Sequence, residues 1–203
     1  MKSPLRFLGY ITGALVAGFL IYMLCSQCPY FSSIGFADCS RPSNLKASGF
    51  TSYELSVINE SDSIMRVLTI DDPRDLAVLR AQSSDFSSKA LLSEEFERLS
   101  ELMVATVTHP SQDGVGIAGP QVGLNRRVVA VQRFDKEGEP FEVYPNVRIV
   151  WQSDSLAFGP EGCLSVPDRR EDVARSQEIV IEYTAVPGLK TVRDTVSGFT
   201  AVI

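Results

Sequence analysis

The clearest pattern of apolar and polar positions runs from residue 91 to residue 107. Apolar residues recur there at steps of three and four, the spacing that places side chains on one face of a helix. Ser93 precedes two glutamates, and a serine N-cap followed by acidic residues suits the positive end of a helix. His109-Pro110 follows, and the residue before a proline disfavours helical geometry. We therefore predict one amphipathic helix over residues 91–107.

Shorter apolar runs on both sides of this helix predict strands. They are Met65–Ile70, Arg127–Gln132, Phe141–Val150, Ile179–Thr184 and Thr191–Val196, with Phe50–Ile58 as a weaker candidate. The turn residues around Gly138 predict a hairpin between the second and third of these runs, and Pro187-Gly188 predicts another turn. Antiparallel strands around one central helix predict an α+β fold.

The N-terminal region has a different composition. Residues 7–24 contain no charge, and Lys2 and Arg6 precede them. The run is at the lower limit for a membrane span, which takes about 20 apolar residues. With the small residues Gly35 and Ala37 after it, it is also typical of an export signal. We expect residues 1–37 to be a signal peptide or membrane anchor, which places the remainder on the periplasmic side of a bacterial membrane. The alternatives are a buried core helix or a start codon assigned too far upstream.

Residues 38–63 are predicted as a linker or N-terminal extension, and residues 64–203 as one globular domain. The sequence has 203 residues, 44% of them hydrophobic and 22% charged, which is typical of a globular protein. Its 19 basic and 25 acidic residues give a net charge of −6. We therefore expect no nucleic-acid partner, because binding to phosphates requires a surplus of basic residues. The single His excludes any site that needs two imidazoles from this sequence.

The densest glycine cluster spans residues 114–123, GVGIAGPQVG. It contains GxGxxG, but a dinucleotide site requires a strand before that motif and a helix after it, and here the predicted order is reversed. Glycines also leave the backbone bare, so that a peptide can pair with it as an added strand. Gln121 would then place an amide donor near a carbonyl oxygen. The alternative is a glycine-rich turn with a surface glutamine.

A second cluster spans residues 159–167 and contains Cys163. A lone cysteine is more often a small apolar residue than a functional one. If residues 1–37 are removed, Cys39 and Cys163 are the remaining cysteines, and an oxidising compartment would allow them to pair.

Together the two clusters, GVGIAGPQVG and then EGCLSVP, resemble the first two motifs of peptide deformylases, and the resemblance extends over roughly residues 65–203. It implies hydrolysis of the formyl group of N-formylmethionyl peptides by a metal-activated water. The metal would be a divalent ion, Fe²⁺ or Zn²⁺. The partners would be formylated peptides or polypeptide N-termini.

The resemblance also assigns roles to residues. Cys163 matches one of three metal ligands. Gln121 and the backbone N–H of Leu164 match the groups that stabilise the oxyanion. The residues that match the groups holding the substrate backbone are Val115, Gly116 and Gly162. The family usually has Ala at the position of Gly119, so we expect a slightly looser turn.

The third family motif, HExxH on a helix, is absent from this sequence, which ends with GFTAVI. That motif supplies the other two metal ligands and the general base. The resemblance therefore implies a domain that lacks its C-terminal metal-binding helix, an incomplete metal site and impaired or absent activity. The alternative is a catalytically dead peptide-binding relative or a truncated gene product.

Overall fold

The computed structural model describes residues 49–203. The predicted signal or anchor, and the apolar run at 7–24 within it, lie outside these residues. Within residues 49–203, no helix has both the length and the apolar character that a membrane crossing requires.

The described region contains five α-helices and one 3₁₀-helix. The α-helices are α1 (Ser52–Glu60), α2 (Pro73–Arg80), α3 (Ser88–Leu91), α4 (Glu94–Val107) and α5 (Phe199–Val202). The 3₁₀-helix spans Gly119–Val122. The first four α-helices each begin at a residue whose side chain accepts a backbone hydrogen bond, which satisfies one of the free N–H groups of a first turn.

Eight strands form three antiparallel sheets within the described residues. They are β1 (Gly116–Ala118), β2 (Val128–Gln132), β3 (Phe141–Pro145), β4 (Arg148–Gln152), β5 (Leu156–Cys163), β6 (Val166–Ser176), β7 (Glu178–Ala185) and β8 (Lys190–Ser197). Their orders are β1-β2-β3, β4-β7-β8 and β5-β6. The prediction of an α+β fold with antiparallel strands is confirmed.

Helix α4 is the predicted amphipathic helix, and Ser93 is its N-cap. Its apolar face belongs to the main core, together with residues of α1 and of the β1-β2-β3 sheet. Fully buried members of this core are Phe50, Ile58, Ala90, Leu99, Met103, Val107, Leu124 and Ala130. A second, smaller cluster contains Tyr144, Ile181 and Val196.

The predicted strand over residues 50–58 is wrong, because residues 52–60 form α1. Thr51 and Glu54 make a capping box, in which each side chain accepts a hydrogen bond from the backbone N–H of the other. This reciprocal arrangement favours the start of a helix. Phe50 and Ile58 are completely buried. Residues 49–63, which were predicted as part of a linker, therefore contribute a helix to the core.

The predicted strand Met65–Ile70 is also wrong, since this segment has no place in a sheet. It has no regular secondary structure and forms hydrogen bonds with the 3₁₀-helix and with the β5–β6 turn instead. The N–H of Leu68 donates to the carbonyl of Gln121 at 2.8 Å, and the N–H of Ile70 donates to that of Ser165 at 2.9 Å.

The predicted strand Phe141–Val150 is two strands, β3 and β4, in different sheets. The chain turns at Asn146, which has φ +58°, a conformation that asparagine tolerates better than most residues. The Asn146 side chain also accepts a hydrogen bond from the Phe86 N–H at 2.7 Å, which fixes the change of direction.

The remaining predicted strands are confirmed. The predicted hairpin around Gly138 is the antiparallel pair β2–β3. The other two predicted strands lie within β7 and β8, which pair with each other. Helix α2 and the long hairpin β5–β6 were not predicted.

Replacing Ile58 with Ala tests the contribution of α1 to the core. We expect the free energy of unfolding to fall by about 2–5 kcal/mol, because a fully buried side chain is lost and a cavity is left. Urea denaturation measures it. Asn59→Ala, an exposed change on the same helix, should stay within about 0.5 kcal/mol of the wild type. Equal effects of the two changes would contradict the assignment.

Candidate functional site

The two sequence clusters line a common cleft of about 2000 Å³. The glycine-rich segment contributes β1 and Gln121 to its wall, and the β5–β6 hairpin contributes Gly162, Cys163 and Leu164. The structure therefore brings together two segments that are about 40 residues apart in the sequence.

The side chain of Gln121 is held at both ends. Its Oε1 accepts a hydrogen bond from the N–H of Ala118 at 2.8 Å. Its Nε2 lies 3.7 Å from Cys163 Sγ and 3.3 Å from Ser165 Oγ. Because Oε1 is occupied by a donor, the NH₂ group must face the cysteine. The amide therefore presents its donor to the position of Cys163.

The 3₁₀-helix that carries Gln121 depends on Gly119. A Cβ atom on this residue would lie 2.7 Å from the carbonyl oxygen of Arg126 and 2.9 Å from that of Leu124. Both contacts are with backbone, which cannot rotate away. Glycine therefore permits a close approach of two chain segments here, and the slightly looser turn stays a prediction. The turn closes at Gly123, which has φ +88°.

Strand β1 provides main-chain groups at the cleft. Gly116 pairs with Val131 of β2, and the N–H of Gln132 donates to the carbonyl of Val115 at 2.8 Å. Strand β1 is an edge of its sheet as the described residues define it. Such an edge can pair with an extended peptide. Val115 and Gly116 also line the cleft.

The β5–β6 turn carries the second group of predicted site residues. Cys163 is an exposed free cysteine at the end of β5. Leu164 packs its side chain against the main core, so the backbone of the turn is anchored. At Gly162, an added Cβ would have no neighbour closer than 3.9 Å, which leaves its backbone open to the cleft.

Glu161 is the carboxylate nearest to Cys163 in the sequence, and it is already paired. The guanidinium of Arg175 donates to it at 2.8 and 2.9 Å. These hydrogen bonds lower the pKa of Glu161 and raise the pKa of Arg175. Glu161 is therefore a paired anion and a poor proton acceptor.

The residues present do not fit a divalent metal. Residues 49–203 contain no group of three or more His, Cys, Asp or Glu side chains arranged to hold an ion. The single His of the sequence, His109, bonds through Nδ1 to Ser111 Oγ at 2.8 Å and is exposed. Catalytic zinc sites use three protein ligands, and among residues 49–203 the carboxylates that line the cleft do not form such a set with Cys163.

Two contacts of the site were not predicted from the sequence. Ser165 is buried and lies next to the Gln121 amide. Glu54 and Arg126 form a buried ion pair behind the turn that carries Gln121. The capping box of α1 was a local signal for Glu54, but no sequence spacing indicated its partner.

Comparisons with known proteins agree with this geometry. The family profile described as "Polypeptide deformylase" matches residues 64–203. Peptide deformylase 2 of Vibrio vulnificus (strain CMCP6) is 34% identical over 141 residues, which cover 70% of this chain and 77% of the relative. Among solved structures, the Met-Ala-Ser-bound class I type b peptide deformylase from Acinetobacter baumannii is 29% identical with a TM-score of 0.60, covering 69% and 87% of the two chains. Peptide deformylase from Thermotoga maritima is 26% identical with a TM-score of 0.59, covering 70% and 87%.

Replacing Gly119 with Ala tests the close approach at the turn. We expect a loss of about 1–3 kcal/mol in the free energy of unfolding, because the new methyl group must displace backbone. Thermal or urea denaturation measures it. Gly188→Ala is the matched control, since an added Cβ there has no neighbour within 4 Å. An unchanged midpoint for the Gly119 variant would show that the two segments are not in contact.

Proposed function

Because this chain belongs to the polypeptide deformylase family, we propose that its cleft binds the N-terminal end of an extended, N-formylated peptide. The observation that carries this proposal is the orientation of Gln121, whose NH₂ group faces Cys163 beside an edge strand.

Backbone pairing would hold the peptide. Val115, Gly116 and Gly162 all line the cleft, and neither glycine has a side chain that would obstruct a second chain. A peptide lying against β1 would form main-chain hydrogen bonds that do not depend on its sequence. This suits a protein that receives many different polypeptide N-termini.

The formyl oxygen would lie near Gln121 Nε2. That donor is pre-organised, because the hydrogen bond from the Ala118 N–H fixes the orientation of the amide. The backbone N–H of Leu164 would be a second donor. A donor fixed in advance stabilises a developing negative charge on oxygen without reorganisation. The same two groups would recognise a formyl oxygen before any reaction.

Hydrolysis of the formyl group is the reaction that the family name implies, and the family resemblance implies a divalent metal for it. Since residues 49–203 do not form a metal site, we derive no catalytic step through a metal. We propose instead that this 203-residue chain recognises formylated peptides and hydrolyses them negligibly. A peptide-binding relative without turnover is therefore favoured over an active enzyme.

Binding of formyl-Met-Ala-Ser and Met-Ala-Ser to the purified chain, measured by calorimetry, tests recognition. We expect the formylated peptide to bind more tightly. Gln121→Glu keeps the acceptor for Ala118 but replaces the donor with an anionic oxygen, so it should weaken binding of the formylated peptide about tenfold and that of Met-Ala-Ser much less. Gln152→Glu, an exposed change of the same charge on β4, is the control. Equal affinities for the two peptides would overturn the proposal.

Formate release and metal content test the absence of turnover. With Fe²⁺ or Zn²⁺ added, we expect no formate above the rate without protein and far less than one bound ion per chain after desalting. Stoichiometric metal together with sustained formate production would contradict this expectation.

A further inference from the structure

We propose that Glu54 of α1 is a positioning residue for Gln121, acting through a buried ion pair with Arg126. The inference rests on the proposed recognition role of Gln121. It assigns a part in the site to a helix that lies outside the residues matched by the family profile, 64–203.

The ion pair is buried and is formed by two hydrogen bonds. Arg126 donates from Nη2 to Glu54 Oε2 at 2.9 Å and from Nε to the other carboxylate oxygen. The two side chains are 8% and 9% exposed. Glu54 Oε2 also accepts from the Thr51 N–H at 2.7 Å. The carboxylate therefore fixes the guanidinium in a two-point geometry.

Burial alone would raise the pKa of Glu54, but the hydrogen bond from Arg126 and that residue's charge outweigh this effect and lower the pKa. Glu54 is therefore an anion at neutral pH. Arg126 also donates from Nη1 to the carbonyl of Asp85 at 2.9 Å, so its guanidinium is held from two sides.

The backbone of Arg126 supports the turn that carries Gln121. Its carbonyl oxygen is the atom that a Cβ on Gly119 would approach to 2.7 Å. Its N–H donates to the carbonyl of Leu124 at 2.7 Å, and the N–H of Leu124 donates to that of Gly119 at 2.9 Å. A displacement of Arg126 would therefore move the first residue of the 3₁₀-helix.

Helix α1 also lies near the other end of the same turn. A Cβ on Gly123 would lie 3.6 Å from the hydroxyl of Tyr53 and 4.0 Å from a methyl of Val57. The turn between Gly119 and Gly123 thus has Arg126 packed at its start and α1 near its end. The Glu54–Arg126 pair is therefore the link from α1 to the segment that orients the Gln121 amide.

Glu54→Asp in the full chain tests this role, because it keeps the charge but withdraws the carboxylate by one methylene. The direct reporter is hydrogen exchange at the Ala118 amide, whose N–H is bonded to Gln121 Oε1. We expect this amide to exchange about tenfold faster, with a loss of about fivefold in the preference for formyl-Met-Ala-Ser over Met-Ala-Ser. Arg126→Lys, which keeps the charge but loses the two-point geometry, should act in the same direction.

Ile181→Val, in the second apolar cluster, serves as the control for a general loss of stability. It should lower the denaturation midpoint without changing either readout. Unchanged exchange at Ala118 in both the Glu54 and Arg126 variants would overturn the positioning role. Equally faster exchange throughout the protein would also overturn it, because that result indicates only a structural role. A wild-type chain that does not distinguish the two peptides would refute the proposed function, while the exchange measurement would still decide the positioning of Gln121.

Discussion

The close packing of backbone against backbone at Gly119 is the constraint on which the candidate site depends. It allows the chain to enter a tight 3₁₀-helix with the carbonyl of Arg126 directly behind it. Gln121 then lies where its side chain meets Ala118, Ser165 and Cys163. The two clusters of the sequence therefore meet through a geometry that local backbone sterics impose.

Segments from before the glycine cluster maintain this geometry. Residues 65–70 donate hydrogen bonds to the backbone carbonyls of both Gln121 and Ser165, and Glu54 of α1 pairs with Arg126, which packs against the turn. A buried ion pair contributes little net stability, but loss of one partner is costly because the other charge stays buried. Such a pair is thus better suited to fixing one arrangement of the chain than to stabilising the fold in general.

Periodicity predicted those elements with one buried face, namely α4, the β2–β3 hairpin, and the strands β7 and β8. It failed for the β5–β6 hairpin, because most residues of both strands are exposed and no apolar alternation results. It failed at Asn146, where one left-handed residue divides an apolar run between two sheets. The proximity of Gln121 and Cys163 was implied by family resemblance alone. Pairs of residues far apart in the sequence, such as Glu54 and Arg126, cannot be predicted from residue propensities.

Recognition and hydrolysis make different demands on this fold. Recognition requires main-chain groups at a strand edge and one fixed amide, which the turn and the β5–β6 hairpin hold through hydrogen bonds within residues 49–203. Hydrolysis through a bound ion requires several side-chain ligands that converge on one point. Within residues 49–203, Cys163 is not part of such a group of ligands. Because the groups that would bind a peptide are held by the protein itself, their geometry does not depend on a metal. The proposed peptide recognition therefore uses groups whose positions need no bound ion.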